Sequence, residues 1–236
     1  MNTFHKTLLV IIVIGCVVLV TSPLWLPRLD AYNLHRIAIE KNNPVLLLVP
    51  IPRAIAAGKQ LEGEDFLVGF LHFKTPWAPV TARKTTLGGV GLVFDSNAHS
   101  LIALKTSSLL DTGRTLYGTS TLETMYSREA IRSPYAFARA ELSATPAHDQ
   151  WLLHPQQSLA LSNLLFAKAA ETAVLHPTRI YSFETPVVIG FEFVLADETQ
   201  TALWIFDRVH KTQYAMYLAS STQAETDAIV SSIRTN

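Results

Sequence analysis

Apolar and polar positions change period several times along this chain, and each period predicts a different element. Between Lys6 and Arg28 there is no charge for 21 positions, 7–27, and the centre of that run, Leu8–Val20 (LLVIIVIGCVVLV), has no strongly polar side chain. Coiled at about 1.5 Å per residue it is roughly 30 Å long, the thickness of a bilayer's hydrocarbon core. The pattern predicts a transmembrane helix. Further on, apolar residues come in short strand-like blocks at Phe66–Phe73, Ala78–Thr86, Val90–Phe94 and Leu101–Lys105. Thr75-Pro76, Leu87-Gly88-Gly89 and Asp95-Ser96-Asn97 separate them, and connections this short favour an antiparallel meander.

From about 120 to 175 the period becomes helical. Ser120-Thr121-Leu122-Glu123 has the S-x-x-E spacing of a capping box. Ser133-Pro134 and Thr145-Pro146 each pair a capping side chain with proline at a first helical position. Between Pro155 and Leu175, the residues Leu159, Ser162, Leu165, Phe166, Ala169 and Ala173 recur at three- and four-residue steps, the stripe expected to face a core. Four more strand-like blocks follow, Thr178–Glu184, Val187–Leu195, Thr201–Asp207 and Gln213–Ser220. Thr201–Phe206 is apolar on both sides, as a strand covered on both faces would be. A second capping box, Thr222-Gln223-Ala224-Glu225, opens a last helix with Ala228, Ile229 and Ile233 on its apolar side.

The predicted fold class is α+β: an N-terminal transmembrane helix, then a largely antiparallel sheet of two meanders packed with helices. Residues 1–27 form the anchor, 28–65 a linker or packing segment, and 66–236 a single domain with its helical middle at about 120–175. Within the linker, Asp30 caps a predicted helix to about Lys41. Val45–Ile51 is either a short buried strand or an extended packing segment, since Pro50 and Pro52 demote it from a central strand. Pro52–Ala57 is expected to make a turn or two of helix stopped by Gly58.

Composition narrows the classes. With 49% hydrophobic and 16% charged residues the chain is globular rather than disordered. Nineteen basic and 19 acidic residues give a formal charge of zero without any Lys/Arg run, which argues against a dedicated nucleic-acid binder. The one cysteine, Cys16, lies in the apolar run, so no intrachain disulfide, thiolate metal site or thiol catalysis is open to the rest of the chain. Val13-Ile14-Gly15-Cys16 resembles a bacterial lipoprotein box, which makes lipid attachment at Cys16 an alternative, but Val17–Val20 stays apolar where such chains turn polar. Val20-Thr21-Ser22 is followed by Pro23, a poor residue after a signal-peptide cut. A retained anchor with Trp25 at the interface is therefore expected. Lys6 on one side and Arg28, Arg36 and Lys41 on the other nearly balance. The domain is placed outside the cytoplasm because most N-terminal anchors insert that way. The expected address is a bacterial inner membrane, single-pass, with a periplasmic domain. The bilayer is contacted through residues 7–27, and an envelope protein is the expected partner.

Phe73-Lys74-Thr75-Pro76-Trp77 near the first strand, and Ile180–Phe193 followed by Ala202–Phe206 and the closing helix, resemble the PsbP-like α/β sandwich over about half the chain. The resemblance implies a sandwich fold and a binding or accessory role, mostly non-catalytic. The helical middle, roughly 110–175, exceeds what that family's compact core needs.

Spacings that chemistry requires are missing. There is no H-E-x-x-H, no G-x-S-x-G and no S-x-x-K. Gly88-Gly89-Val90-Gly91 precedes a strand and lacks a following lysine, so it is a turn rather than a phosphate cradle. His148 and His154, six apart, are expected as surface or capping residues. No catalytic residue, cofactor or metal ligand is assigned. Glu184, Glu192 and Asp207, on neighbouring C-terminal strands, are the carboxylates of an alternative, hydrolase-like reading. The densest group of binding-capable residues is His72, Lys74, Trp77, Arg83 and Lys84. If the first two strands form a hairpin, these cations and the indole gather into a patch for an anionic ligand or acidic partner. Otherwise Trp77 plugs the core edge and the cations face water. The leading expectation is a membrane-anchored extracytoplasmic binding or accessory protein, non-catalytic. The alternatives are that enzyme and a module whose helical middle, 120–175, docks a partner.

Overall fold

Proline shapes the segment that leads into the sheet. Pro44–Leu47 closes into a 3-10 turn, and only Ile51–Pro52 (β1) pairs, parallel to a sheet edge. Val45–Ile51 is therefore a packing segment, not a strand, and Arg53–Ala56 runs on without helical structure. The structure is a computed structural model and describes residues 44–235 except 57–60, 63, 79, 87, 95–97 and 147–152, with positions 21, 22, 26, 29, 32, 33 and 36 before them. The expected anchor core Leu8–Val20 and the box at Cys16 lie outside the described residues. Positions 32, 33 and 36 are helical, inside the helix expected from Asp30.

Phe66–Phe73, expected as one strand, is a hairpin of Phe66–Val68 (β2) and Leu71–Phe73 (β3). Gly69 turns it at φ 61°, a conformation glycine adopts without a Cβ penalty. The first meander then comprises Val80–Thr86 (β4), Gly89–Phe94 (β5) and His99–Thr106 (β6). The second is Pro177–Glu184 (β7), Val188–Leu195 (β8), Gln200–Asp207 (β9) and Gln213–Ala219 (β10). Pairing of β10 with β6 fuses the two into one sheet ordered β1-β7-β8-β9-β10-β6-β5-β4, antiparallel except at β1. Arg234–Thr235 (β11) joins β3 and β2 in a separate three-stranded sheet.

Helices confirm some caps and move others. Leu109–Tyr117 (α1), which the sequence pattern did not single out, starts at Ser108, whose Oγ accepts the Asp111 N–H at 3.0 Å. Gly118 then leads into Thr119–Met125 (α2), so Ser120 falls inside the first turn and its expected capping box does not form. Pro134–Ser143 (α3) starts as expected, with Ser133 Oγ accepting the Ala136 N–H at 3.1 Å. Thr145 and Pro146 are not helical, and 147–152 lie outside the described residues. Pro155–Leu175 (α4) ends at His176, φ 46°. Gln223–Ser232 (α5) carries the complete Thr222–Glu225 box.

Side chains alternate across the sheet and are covered on both faces in its centre. Phe183, Val188, Leu203 and Ile205 meet the small sheet through Phe66 and Phe73, and α5 through Ile229 and Val230. Ile180, Phe191, Phe193, Trp204 and Phe206 meet Ala138 and Leu142 of α3 on the other face. The double coverage expected of Thr201–Phe206 is present, and each such large side chain contributes about 1.5–3 kcal/mol. This is a mixed helix-and-sheet fold built on a large, predominantly antiparallel sheet.

In α4 the expected stripe is displaced. Ser158, Ser162, Leu165, Lys168, Thr172 and Leu175 are the buried positions, while Phe166 is 52% exposed. Among the described residues this helix, 156–175, is the one long and apolar enough to cross a membrane. It nevertheless packs against α3 and the 44–47 turn, because Lys168 Nζ donates to the carbonyls of Leu46, Leu48 and Ala144 at 3.1, 2.5 and 2.8 Å. A fully buried ammonium needs such acceptors, and they turn the polar side of the helix inward.

Candidate functional site

Of the residues grouped from the sequence, His72 lies on β3 of the small sheet, Arg83 and Lys84 on β4 of the large one, and Lys74 and Trp77 on the connection between them. His72 Nδ1 lies 2.9 Å from Asp65 and Lys74 Nζ donates to the Leu61 carbonyl at 3.2 Å. Trp77 is buried, stacks on His99 at 4.8 Å and donates its Nε1–H to Glu225 Oε1 at 2.9 Å. Arg83 pairs with Glu64 at 2.9 Å and covers the Phe66 ring, while Lys84 is exposed on β4. Trp77 thus packs the core edge beside α5, apart from the cations of β4.

The three C-terminal carboxylates are each engaged by a basic group, and they divide between faces. Glu184 shares the face of Ile180 and is ion-paired with Arg208. Glu192 and Asp207 share the opposite face, but Val188, not Glu192, is the register partner of Asp207. Four residues of strand put them about 13 Å apart. Glu192 accepts from Arg53 Nε at 2.6 Å and from Gln223 Nε2 at 3.0 Å, and Arg53 NH1 reaches Asp227 Oδ1 at 2.5 Å. Burial pushes the Glu192 carboxyl up from its ordinary pKa, and the Arg53 guanidinium opposes that shift. This network ties the segment after β1 to the sheet and to α5.

Asp207 organises a different place. Its Oδ1 accepts the backbone N–H groups of Val209 and His210 at 2.7 and 3.1 Å, and Oδ2 lies 2.6 Å from His210 Nδ1. Both oxygens are engaged within the turn after β9, and His210 stacks on Phe70 at 4.2 Å. The start of α3 lies over this end of the sheet. Between them is a cleft of about 680 Å³. Ile189, Phe206, Pro134 and the Tyr135 ring give it an apolar floor and wall, while Arg114, Arg132, Arg208 and Lys211 supply four cations. Tyr135 is held by stacking on Phe191 at 5.5 Å and by an edge contact with Phe206 at 5.6 Å. Burial raises its phenol pKa, with Arg139 opposing, so it stays a neutral hydroxyl. Across Tyr135 and Ile189 lies a smaller cleft of about 300 Å³ that includes Arg53 and Glu184.

The cations are unequally committed. Arg114 donates to the Ile131 carbonyl at 2.7 Å and stands 3.6 Å from Asp111. Lys211 donates to the Arg208 carbonyl at 2.6 Å. Arg208 pairs with Glu184 at the rim, and its Nε is buried without a hydrogen-bond partner. Arg132 is exposed just before the Ser133 cap, and no ion pair to it is formed among the described residues. The cleft is therefore electropositive, and the first turn of α3 adds the positive end of a helix dipole. In this site Ser133-Pro134 carried a sequence signal as a cap and Asp207 as a candidate carboxylate, and none of the four cations did. Arg132 and Arg208 are too far apart in the chain for any spacing rule to join them.

A second ionisable cluster centres on the buried Lys168 and Glu141. Lys168 lies beside Glu141, and Glu141 interacts with Glu171 of α4. Burial and the neighbouring Glu171 push Glu141 up to about 10, burial pushes Glu171 up to about 7, and burial pulls Lys168 down to about 8. At neutral pH Glu141 therefore holds a proton, and the cluster combines a neutral carboxyl, a readily titrated carboxylate and the Lys168 ammonium. The Gln157 side chain accepts the His154 backbone N–H at 3.2 Å, so His154 caps α4, while His148 lies outside the described residues. Among the described residues no group of three or more His, Cys, Asp or Glu side chains is placed to hold a metal ion.

Comparison of the chain with protein-family models, with curated proteins and with solved structures gives no match.

Proposed function

We propose that this protein is a membrane-held, non-catalytic binding module whose domain lies outside the cytoplasm and receives an anionic ligand in the cleft under α3. The observation that carries the binding part is the cleft itself. Four cations line it, and its single lining carboxylate, Asp207, is fully engaged in its own turn. A concave site of this size with an apolar floor and a few charged groups has the make-up of a small-molecule site. Support for the membrane part is the charge-free run 7–27. An accessory role is also what the PsbP-like strings imply.

Two measurements test the two parts. A reporter active only outside the cytoplasm, fused after Asn236, should be active, and activity of a cytosolic reporter in its place would overturn the address. Calorimetric titration of the full chain with inorganic phosphate should show saturable binding that weakens several-fold in Arg132→Gln. Absence of binding by phosphate and sulfate alike overturns the cleft as an anion site. The hydrolase-like reading draws less support, since Glu184, Glu192 and Asp207 are each held by a basic partner.

A further inference from the structure

The cleft has two chemically distinct parts, and their arrangement restricts what can fill it. Its floor comes from the ends of β8 and β9, as Ile189 and Phe206, and from the rigidly stacked Tyr135. Its cations stand around that floor: Arg114 on α1, Arg132 at the end of the 3-10 turn Ala130–Arg132 before α3, and Arg208 and Lys211 after β9. A volume of about 680 Å³ is drug-sized, far more than one inorganic anion occupies. An inorganic ion held by the guanidinium groups would leave the aromatic and aliphatic floor wet. An aryl or alkyl body attached to the anion covers it, with an aromatic face or chain against Tyr135 and Phe206.

Arg208 supplies an independent observation. Its Nε is buried and unpaired although its terminal nitrogen is engaged by Glu184. That nitrogen is closed to solvent, so an anion in the cleft meets the rest of the part-exposed Arg208 guanidinium rather than Nε. A guanidinium matches two oxygens of one carboxylate or phosphate, which a lysine in that place would not do. Glu184 is on the rim and largely exposed, so an incoming anion competes with it at little cost.

We propose that this cleft binds an amphipathic organic anion: a phosphate or carboxylate held by Arg208 and Arg132, joined to an aryl or alkyl group lying against Tyr135, Phe206 and Ile189. The proposal rests on the reading of the cleft as an anion site and adds the ligand's class. A lipid headgroup with its acyl chain and a free organic acid share this chemistry.

The test is calorimetric titration of the full chain in phosphatidylcholine nanodiscs with inorganic phosphate, phenyl phosphate and hexyl phosphate. Phenyl or hexyl phosphate is expected to bind at least tenfold tighter than inorganic phosphate. Arg208→Gln should weaken all three about tenfold or more, since it removes a charged donor from the cleft wall. Tyr135→Ala should erase most of the preference for the organic phosphates while leaving inorganic phosphate nearly unchanged. Arg132→Gln, an exposed change that leaves packing intact, should weaken all three and serves where Tyr135→Ala fails to fold. Equal affinity for inorganic and organic phosphates overturns the amphipathic class while the anion site stands; no binding of any of the three overturns both. Nanodiscs containing phosphatidylglycerol separate the sources. Competition with hexyl phosphate assigns the site to a lipid headgroup, and undiminished hexyl phosphate binding assigns it to a free organic anion.

Discussion

Lys168 shows how one side chain can decide which way a helix faces. Its ammonium is enclosed by three main-chain carbonyls from two segments, so Lys168→Met leaves three acceptors unsatisfied. We expect a loss of about 2–3 kcal/mol in urea unfolding. The neighbouring acids give the same cluster a pH signature. Glu171 titrates near 7 and Glu141 near 10 in the fold, against an ordinary value of 4.5. Their native forms bind protons that the unfolded chain has released, so stability is greatest below 4.5 and falls as pH rises through 7. Lys168, lowered to about 8 from 10.5, has the opposite sign: its contribution is present above 10.5 and lost as pH falls through 8, and it is flat between pH 5 and 7. Denaturation measured from pH 5 to 7.5 should therefore show declining stability, and Glu171→Gln should flatten that decline. Glu141→Gln should raise stability at pH 7, because folding there obliges Glu141 to take up a proton that the unfolded chain has released, and glutamine needs none. Gly190 is a steric counterpart. A Cβ there would meet the Trp204 carbonyl oxygen and the Phe183 ring, so Gly190→Ala should cost about 1–3 kcal/mol by overpacking.

At the level of elements, caps separate signals that the fold uses from those it bypasses. Ser133→Ala and Thr222→Ala remove bonds to Ala136 N and Glu225 N, and each should cost about 1 kcal/mol in thermal unfolding. Ser120→Ala should be nearly silent, because Gly118 rather than Ser120 precedes α2. The strands β4 to β10 were legible in the sequence since alternation and turn residues are local properties. The hairpin of β2 and β3 was hidden because Gly69 interrupts a run that is otherwise uniformly strand-forming. Helix α1 was overlooked although Ser108 and Asp111 stand three apart at its start. The stripe on α4 misled for a tertiary reason: the acceptors that draw Lys168 inward belong to residues 46, 48 and 144, none of them on the helix.

At the scale of the whole molecule, the chain between the expected anchor and the domain is built into the core. Arg53 joins Glu192 of the sheet to Asp227 of α5, and Lys168 grips the carbonyls of Leu46 and Leu48. Arg53→Ala leaves two carboxylates without their cation and should cost about 3–5 kcal/mol. The loss should be smaller at pH 5 than at pH 8, since Glu192, already raised by burial, then takes up a proton more readily. The cation-lined cleft exists only at this scale. Residues 132–135 and 206–211 meet because α3 lies across the ends of β8 and β9, and nothing local in either segment announces it. The residues His72, Lys74, Trp77, Arg83 and Lys84 are near in sequence, yet they stand on a small-sheet strand, a large-sheet strand and the connection between them.

Thermal unfolding of the full chain with millimolar phosphate or with chloride at matched ionic strength tests the central claim, an anion site in that cleft, most directly. A ligand that binds only the folded state stabilises it by RT ln(1 + [L]/Kd), about 2.7 kcal/mol at a hundred times Kd. Phosphate should raise Tm in the natural chain and leave the doubly substituted Arg132→Gln, Arg208→Gln chain where chloride does. An equal rise in both chains, or none in either, would contradict it.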